Sequence, residues 1–332
     1  MPSNTKSFDS SHHVESPEGD SAEVRASGQQ AGRAAANRKA LKLLLHLALF
    51  AATAVTTTLV GLAMSDGFVH QTGLESSSKL RWAQGLSYSV SLMAILTAHE
   101  FGHYLSARRY GVEASLPYFI PMPTLFGTMG AFIRMRQSGP IKGDGFIRIA
   151  AYGPIAGFVV AVPVLFIGTA LSGLGPAVTE AGTGISLGDS LIMLIAQALF
   201  IGDLPENTDL WLHPMAFAGW AGMFVTALNL LPVSQLDGGH IAYCLLGKRQ
   251  NRVAPFIFVG MVAAALFSFS GWTAICVLVF FIGVQHPPAC THIPVTGRSR
   301  TIGLITLAIF VLTFIPTPFG GMPGLLELIF GQ

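Results

Sequence analysis

The chain has 332 residues, of which 51% are hydrophobic and 11% charged, where a soluble domain carries about 25% charged residues, and this excludes an ordinary soluble enzyme. The apolar residues suffice for roughly seven twenty-residue membrane spans. A formal charge of +2 leaves no nucleic-acid footprint, and three widely spaced cysteines, Cys244, Cys276 and Cys290, give neither a disulfide framework nor a CxxC metal site.

Residues 1–40 contain Phe8 but no Leu, Ile, Tyr or Trp, too little apolar surface to offset the entropy of ordering, so a disordered tail is expected there. The apolar run beginning at Leu41 continues to span length without a small-residue cleavage site, unlike a secretory signal peptide. Residues 41–332 are therefore expected to form one membrane-embedded domain. Windows long enough to cross a bilayer fall at about 41–63, 83–106, 147–171, 214–235, 253–270, 271–286 and 301–316. The fifth and sixth are separated only by Ser268–Gly271, which leaves six or seven spans. An all-α polytopic membrane protein is the expected fold class.

Basic residues test the topology, because Lys and Arg accumulate in cytoplasmic loops. Arg33, Arg38, Lys39 and Lys42 precede the first window. Arg108, Arg109, Arg134, Arg136, Lys142 and Arg148 lie between the second and third, and Lys248, Arg249 and Arg252 follow the fourth. Alternating spans put all of these on one side. The opposite side holds Lys79 and Arg81, and the segment 172–213 has acids, among them Glu180 and Asp189, and no basic residue. The N-terminus is thus expected to be cytoplasmic. The absence of an Arg-rich, acid-poor transit segment favours a bacterial plasma membrane over an organellar one.

Two stretches fit neither span nor ordinary loop. Residues 117–134 are apolar, yet prolines at 117, 121 and 123 and glycines at 127 and 130 forbid a continuous helix. An extended or hairpin segment dipping into the membrane suits them, and irregular backbone at that depth has to line protein or a wet cavity. Residues 189–202 form a short apolar run between acidic loops.

The chemistry centres on the second window, where His99-Glu100-Phe101-Gly102-His103 reads H-E-x-x-H. Residues four apart lie about 40° apart around a helix and about 6 Å along it, so both imidazoles can reach one divalent ion while Glu100 takes a proton from water. Chance gives on the order of 0.015 such matches per chain of this composition. An ionisable group inside a span also costs roughly 2.5–3.5 kcal/mol and usually marks function. A third ligand is needed, and Asp237, in the stretch from Asn229 to His240, is the best candidate. Alternation runs the second and fourth windows in the same direction, so Asp237 and the two histidines reach the same depth, near the cytoplasmic end. His240 either supports the ligands or sits at the membrane interface. His213, His286 and His292 are expected to play no catalytic part, and Gly153 and Gly157 are expected to pack helices closely.

These residues resemble the site-2 protease family of intramembrane zinc metalloproteases. His99-Glu100-Phe101-Gly102-His103 matches the family's H-E-x-G-H. Asn229-x-x-Pro232-x-x-x-x-Asp237-Gly238 matches its aspartate motif, and Gly153-Pro154-Ile155-Ala156-Gly157 is similar to a segment of its core. The likeness covers about residues 83–245. It implies one Zn2+ held by His99, His103 and Asp237 with water in the fourth position, Glu100 as general base, Asn229 positioning substrate or the oxyanion, and a re-entrant β-hairpin after the zinc helix. The implied activity is hydrolysis of a peptide bond within or near the transmembrane segment of single-span membrane proteins, as in regulated intramembrane proteolysis. Residues 149–213 leave no room for the PDZ domain many relatives carry. Rival readings are an inactive relative acting as a membrane chaperone or binding module, and a transporter with intramembrane ionisable residues.

Overall fold

The computed structural model describes residues 18–75, 77–123, 126–136, 141, 144–177, 186–269, 271–287 and 296–330. Cys290, His292, Glu180, Lys142 and the first seventeen residues of the expected tail lie outside these.

Helix α1 runs over Glu18–Thr72. Residues 18–40 are therefore part of this helix. Their alanines, with Glu, Gln, Arg and Lys between them, are strong helix formers that need no apolar face to bury. Two units are distinguished, 1–48 and 49–332. In the first, Leu41 and Leu44 are exposed, and His46 Nδ1 faces the Lys42 carbonyl at 2.6 Å.

In the second unit, α2 spans Ser78–Arg109, started by Ser77, whose hydroxyl accepts from the Leu80 amide at 3.2 Å. Its buried stripe descends through Tyr88, Leu92 and Ile95 and continues as His99 and His103. Strands β1 (Glu113–Ala114), β2 (Tyr118–Pro121), β3 (Thr128–Phe132) and β4 (Met135–Arg136) follow. β2 pairs antiparallel with β3, and β1 with β4, so the expected extended segment is a hairpin. Its tip is anchored where Tyr88 Oη donates to the Phe126 carbonyl at 2.8 Å and Thr56 Oγ1 to that of Gly127 at 2.7 Å.

Helix α3 (Gly145–Ala170) precedes β5 (Gly173–Pro176), α4 (Leu191–Phe200) and β6 (Thr208–Trp211), with β5 and β6 antiparallel. The short apolar run at 189–202 is thus α4, capped by Ser190. Then come α5 (Pro214–Asn229), α6 (Asp237–Leu246), α7 (Gln250–Phe267), α8 (Trp272–Ile282), α9 (Gly297–Thr313) and α10 (Leu325–Phe330). The window 214–235 does not continue as one helix. It ends at Asn229, ahead of Pro232, and Ser234 turns the chain at φ 57° so that α6 opens on Asp237.

The central core packs Tyr88, Leu92 and Ile95 of α2 against Leu165 of α3 and Trp220 and Met223 of α5. Trp220 Nε1 donates to the Gly188 carbonyl at 2.8 Å. Three helical stretches among the described residues are long and apolar enough to cross a membrane, Ala36–Thr72, Gly145–Ala170 and Asp237–Phe267, and they make this a membrane protein. Helix α2 is long enough, about 48 Å at 1.5 Å per residue, but its ends and its metal-site residues keep it outside that apolar set.

The N-termini of α3 and α9 are tied together by side chains. Thr296 donates to both Asp144 oxygens, its amide at 3.2 Å and its hydroxyl in a shorter bond, and Arg148 lies 3.8 Å from the same carboxylate while donating to Ser299. The Thr296 hydroxyl holds the Asp144 carboxyl below its ordinary range. The tie is thus complete above the unfolded-state value of about 3.9 and is lost as pH falls through the lower folded value. Thermal melts of Asp144→Asn are expected to show a midpoint about 1–3 °C lower at pH 7, with the difference from the natural chain disappearing in acid.

Candidate metal centre

His99 and His103 follow one another on the buried stripe of α2, and Asp237 opens α6, where the helix dipole favours a carboxylate. His99 Nε2 and His103 Nε2 are 3.1 Å apart, and Asp237 Oδ2 lies 3.5 Å from the first and 3.2 Å from the second. Two tetrahedral ligand atoms at zinc distances of 2.0–2.1 Å stand about 3.3 Å apart. The three edges bracket that value, so the donor set fits zinc.

His103 is oriented from behind. His103 Nδ1 faces the Ile149 carbonyl of α3 at 2.8 Å. A carbonyl only accepts, so Nδ1 carries the proton and Nε2 presents its lone pair. Asn229 Nδ2, at the end of α5, is 3.3 Å from His99 Nε2. Glu100 is 7% exposed and lines the same cavity as Ile133, just beyond β3, which brings the end of the hairpin to the carboxylate.

Helix α3 approaches to the limit. A Cβ at Gly102 would lie 2.3 Å from the Tyr152 carbonyl oxygen, and one at Gly153 would lie 2.0 Å from His103 Nε2. Gly153 is therefore more than a packing residue, since the space it leaves is that of the ligand nitrogen.

A cavity of about 430 Å³ contains the site. His99, Glu100, His103, Asn229 and Asp237 all line it, so the five residues singled out in the sequence share one space, and Ala131, Phe132 and Ile133 of the hairpin form a wall. His240 lines it too. His286, expected to be inert, is 2% exposed and bonded to His240 (Nε2 to Nδ1, 2.6 Å) with Tyr243 stacked on it at 4.5 Å. His286 Nδ1 faces the Pro287 carbonyl and so holds the proton, leaving Nε2 to accept from His240. Nothing local in the sequence marks this pair, whose members are 46 positions apart.

The Peptidase family M50 profile matches residues 87–270, a stretch that contains every one of these site residues except His286. The chain belongs to Peptidase family M50. Among similar curated proteins, the probable zinc metalloprotease EGY2, chloroplastic, of Oryza sativa subsp. indica is 30% identical over 233 residues, 68% of this chain and 42% of that protein. The probable zinc metalloprotease EGY1, chloroplastic, of Arabidopsis thaliana is 32% identical over 240 residues, 70% of this chain and 42% of that protein. The Arabidopsis EGY2 is 28% identical over 241 residues, 71% of this chain and 42% of that protein. The matched region thus spans about two fifths of these relatives' length. They are chloroplastic plant proteins by name and give the expected bacterial plasma membrane no support. No solved structure matches this M50 chain.

The Gly153 contact yields a direct expectation. Gly153→Ala displaces the His103 ring and lowers zinc affinity about 10–100-fold, read as zinc per chain by elemental mass spectrometry. Gly157→Ala, whose Cβ would meet His99 at 3.2 Å, retains near-normal zinc.

Proposed function

We propose that this chain is an intramembrane zinc metalloendopeptidase that cleaves single-span membrane proteins within or near their transmembrane segments. The observation that carries the reading is the convergence of His99 Nε2, His103 Nε2 and Asp237 Oδ2 within 3.1–3.5 Å of one another in a cavity that Glu100 also lines. His99, His103 and Asp237 would hold one Zn2+. When bound, zinc polarises the scissile carbonyl and makes water a better nucleophile near neutral pH.

Glu100 accepts the proton of the attacking water and delivers it to the leaving nitrogen. Asn229, with its amide against His99, is placed to hold the substrate carbonyl or its developing negative charge. His103 keeps its tautomer through Ile149, so the ligand nitrogen stays aimed without adjustment.

A transmembrane substrate hides its carbonyls in helical hydrogen bonds and has to unwind before attack. The β2–β3 hairpin supports a way to hold the unwound strand, since β3 ends at the cavity wall and backbone pairing along it would replace the lost bonds. In this reading the hairpin re-enters the membrane, the remaining apolar helices bring the spans to six or seven, and the basic flanks put the N-terminus on the cytoplasmic side together with the active-site end of α2. The catalytic domain is 41–332, with its motif-bearing part at about 83–245.

Purified natural chain and Glu100→Gln, incubated with a panel of single-span substrates, test the reading. The variant is expected to keep about one zinc per chain while cleavage falls by about 10²–10⁴-fold, and phenanthroline is expected to abolish cleavage by the natural chain. Cleavage by Glu100→Gln at the natural rate, or cleavage indifferent to the chelator, contradicts it.

A further inference from the structure

A second cavity, of about 670 Å³, opens beside the α2–α3 crossing, and none of the metal-site residues lines it. Gly102, Leu105, Ser106 and Arg109 approach it from α2 at helical spacing, and Arg148 and Tyr152 from α3. Arg108 also lines it, which makes three guanidinium groups, and no acidic side chain does. Arg148 is steadied by Asp144 and Ser299, and Arg108 by the Tyr104 hydroxyl at 3.2 Å. Arg109 has no ion pair among the described residues. The charge of the cavity is thus positive and only partly answered by protein.

Ser106 is 6% exposed, lines the cavity, and its hydroxyl has no hydrogen-bond partner among the described residues. A buried hydroxyl left so is costly, and an acceptor oxygen in the cavity would relieve it. Arginine forks match phosphate oxygens two at a time. The remaining lining is apolar: Leu105 is 61% exposed, and Ile155 and Ala156 continue the surface along α3. A ligand for this cavity therefore has an anionic head with acceptor oxygens and a hydrocarbon part.

We infer that the cavity is a binding site for an anionic phospholipid, its phosphate held among Arg108, Arg109 and Arg148 near Ser106 and an acyl chain lying along Leu105 and Ile155. Arg108 and Arg109 close α2 and Arg148 stands in the first turn of α3, at helix ends in a membrane protein, where a headgroup is at hand and basic pockets between helices take up anionic lipid. Free phosphate would satisfy the charge and leave the apolar half without a role. The site shares α2 with the metal centre and depends on none of its chemistry.

The test uses the full chain, delipidated in detergent, with dioleoyl phosphatidylglycerol, dioleoyl phosphatidylcholine or inorganic phosphate as probes, and native mass spectrometry and thermal melting as readouts. Phosphatidylglycerol is expected to be retained at about tenfold lower concentration than phosphatidylcholine, and to raise the melting midpoint where millimolar phosphate does not. Arg108→Gln/Arg109→Gln, at exposed positions, is expected to erase that preference, and Arg109→Lys to keep part of it. Leu105→Trp fills the mouth from an exposed position and is expected to weaken binding with every arginine in place, which keeps the test open should the double variant fail to fold. Equal retention of the two lipids, phosphatidylglycerol binding undiminished in both the double variant and Leu105→Trp, or full stabilisation by inorganic phosphate alone overturns the assignment.

Discussion

A Cβ at Gly153 would stand 2.0 Å from His103 Nε2, so α3 passes α2 at a distance that only an absent side chain allows. That approach puts the Ile149 carbonyl within 2.8 Å of His103 Nδ1 and so determines which nitrogen carries the proton. It also leaves one side of the α2 stripe free to receive α6. Without it, two imidazoles and two carboxylates would be buried between apolar helices with few partners, a costly state. With it, His103 faces a backbone carbonyl through Nδ1 and the other two residues of the centre through Nε2.

The other elements act on this centre from outside. The break after Asn229 ends α5 and lets α6 start on Asp237, so a helix terminus and a carboxylate coincide at the ligand position. The hairpin, pinned by Tyr88 and Thr56 at its tip, returns along Glu100 and walls the cavity. The His240–His286 bond fixes the loop after α8 behind His240, which lines the cavity. The hairpin, α3 and the α5–α6 junction, distant in the chain, therefore meet at one helix turn of α2.

Much of this was legible because it is local. The His99-Glu100-x-x-His103 spacing defines a helix face by itself, and the prolines at 117, 121 and 123 with Gly127 and Gly130 rule out a helix where the hairpin lies. Asp237 was legible through the depth argument and the motif resemblance together. The break of the 214–235 window was harder: its hydropathy is continuous, and the interruption depends on Pro232 and on Ser234 adopting a left-handed turn. Residues 18–40 lie within α1, where alanine and long polar side chains favour a helix without supplying a core. His286 was not legible at all, because it lies in the loop after α8, its partner lies in α6, and no periodicity joins them.

X-ray absorption at the zinc edge of the purified chain tests the central claim, that His99, His103 and Asp237 bind one ion together. The expected spectrum has nitrogen and oxygen neighbours at about 2.0–2.1 Å with outer scattering from two imidazole rings, falling to one ring in any zinc retained by His103→Ala. Scattering from a third ring, which would make His240 the ligand in place of Asp237, or from sulfur, would contradict it.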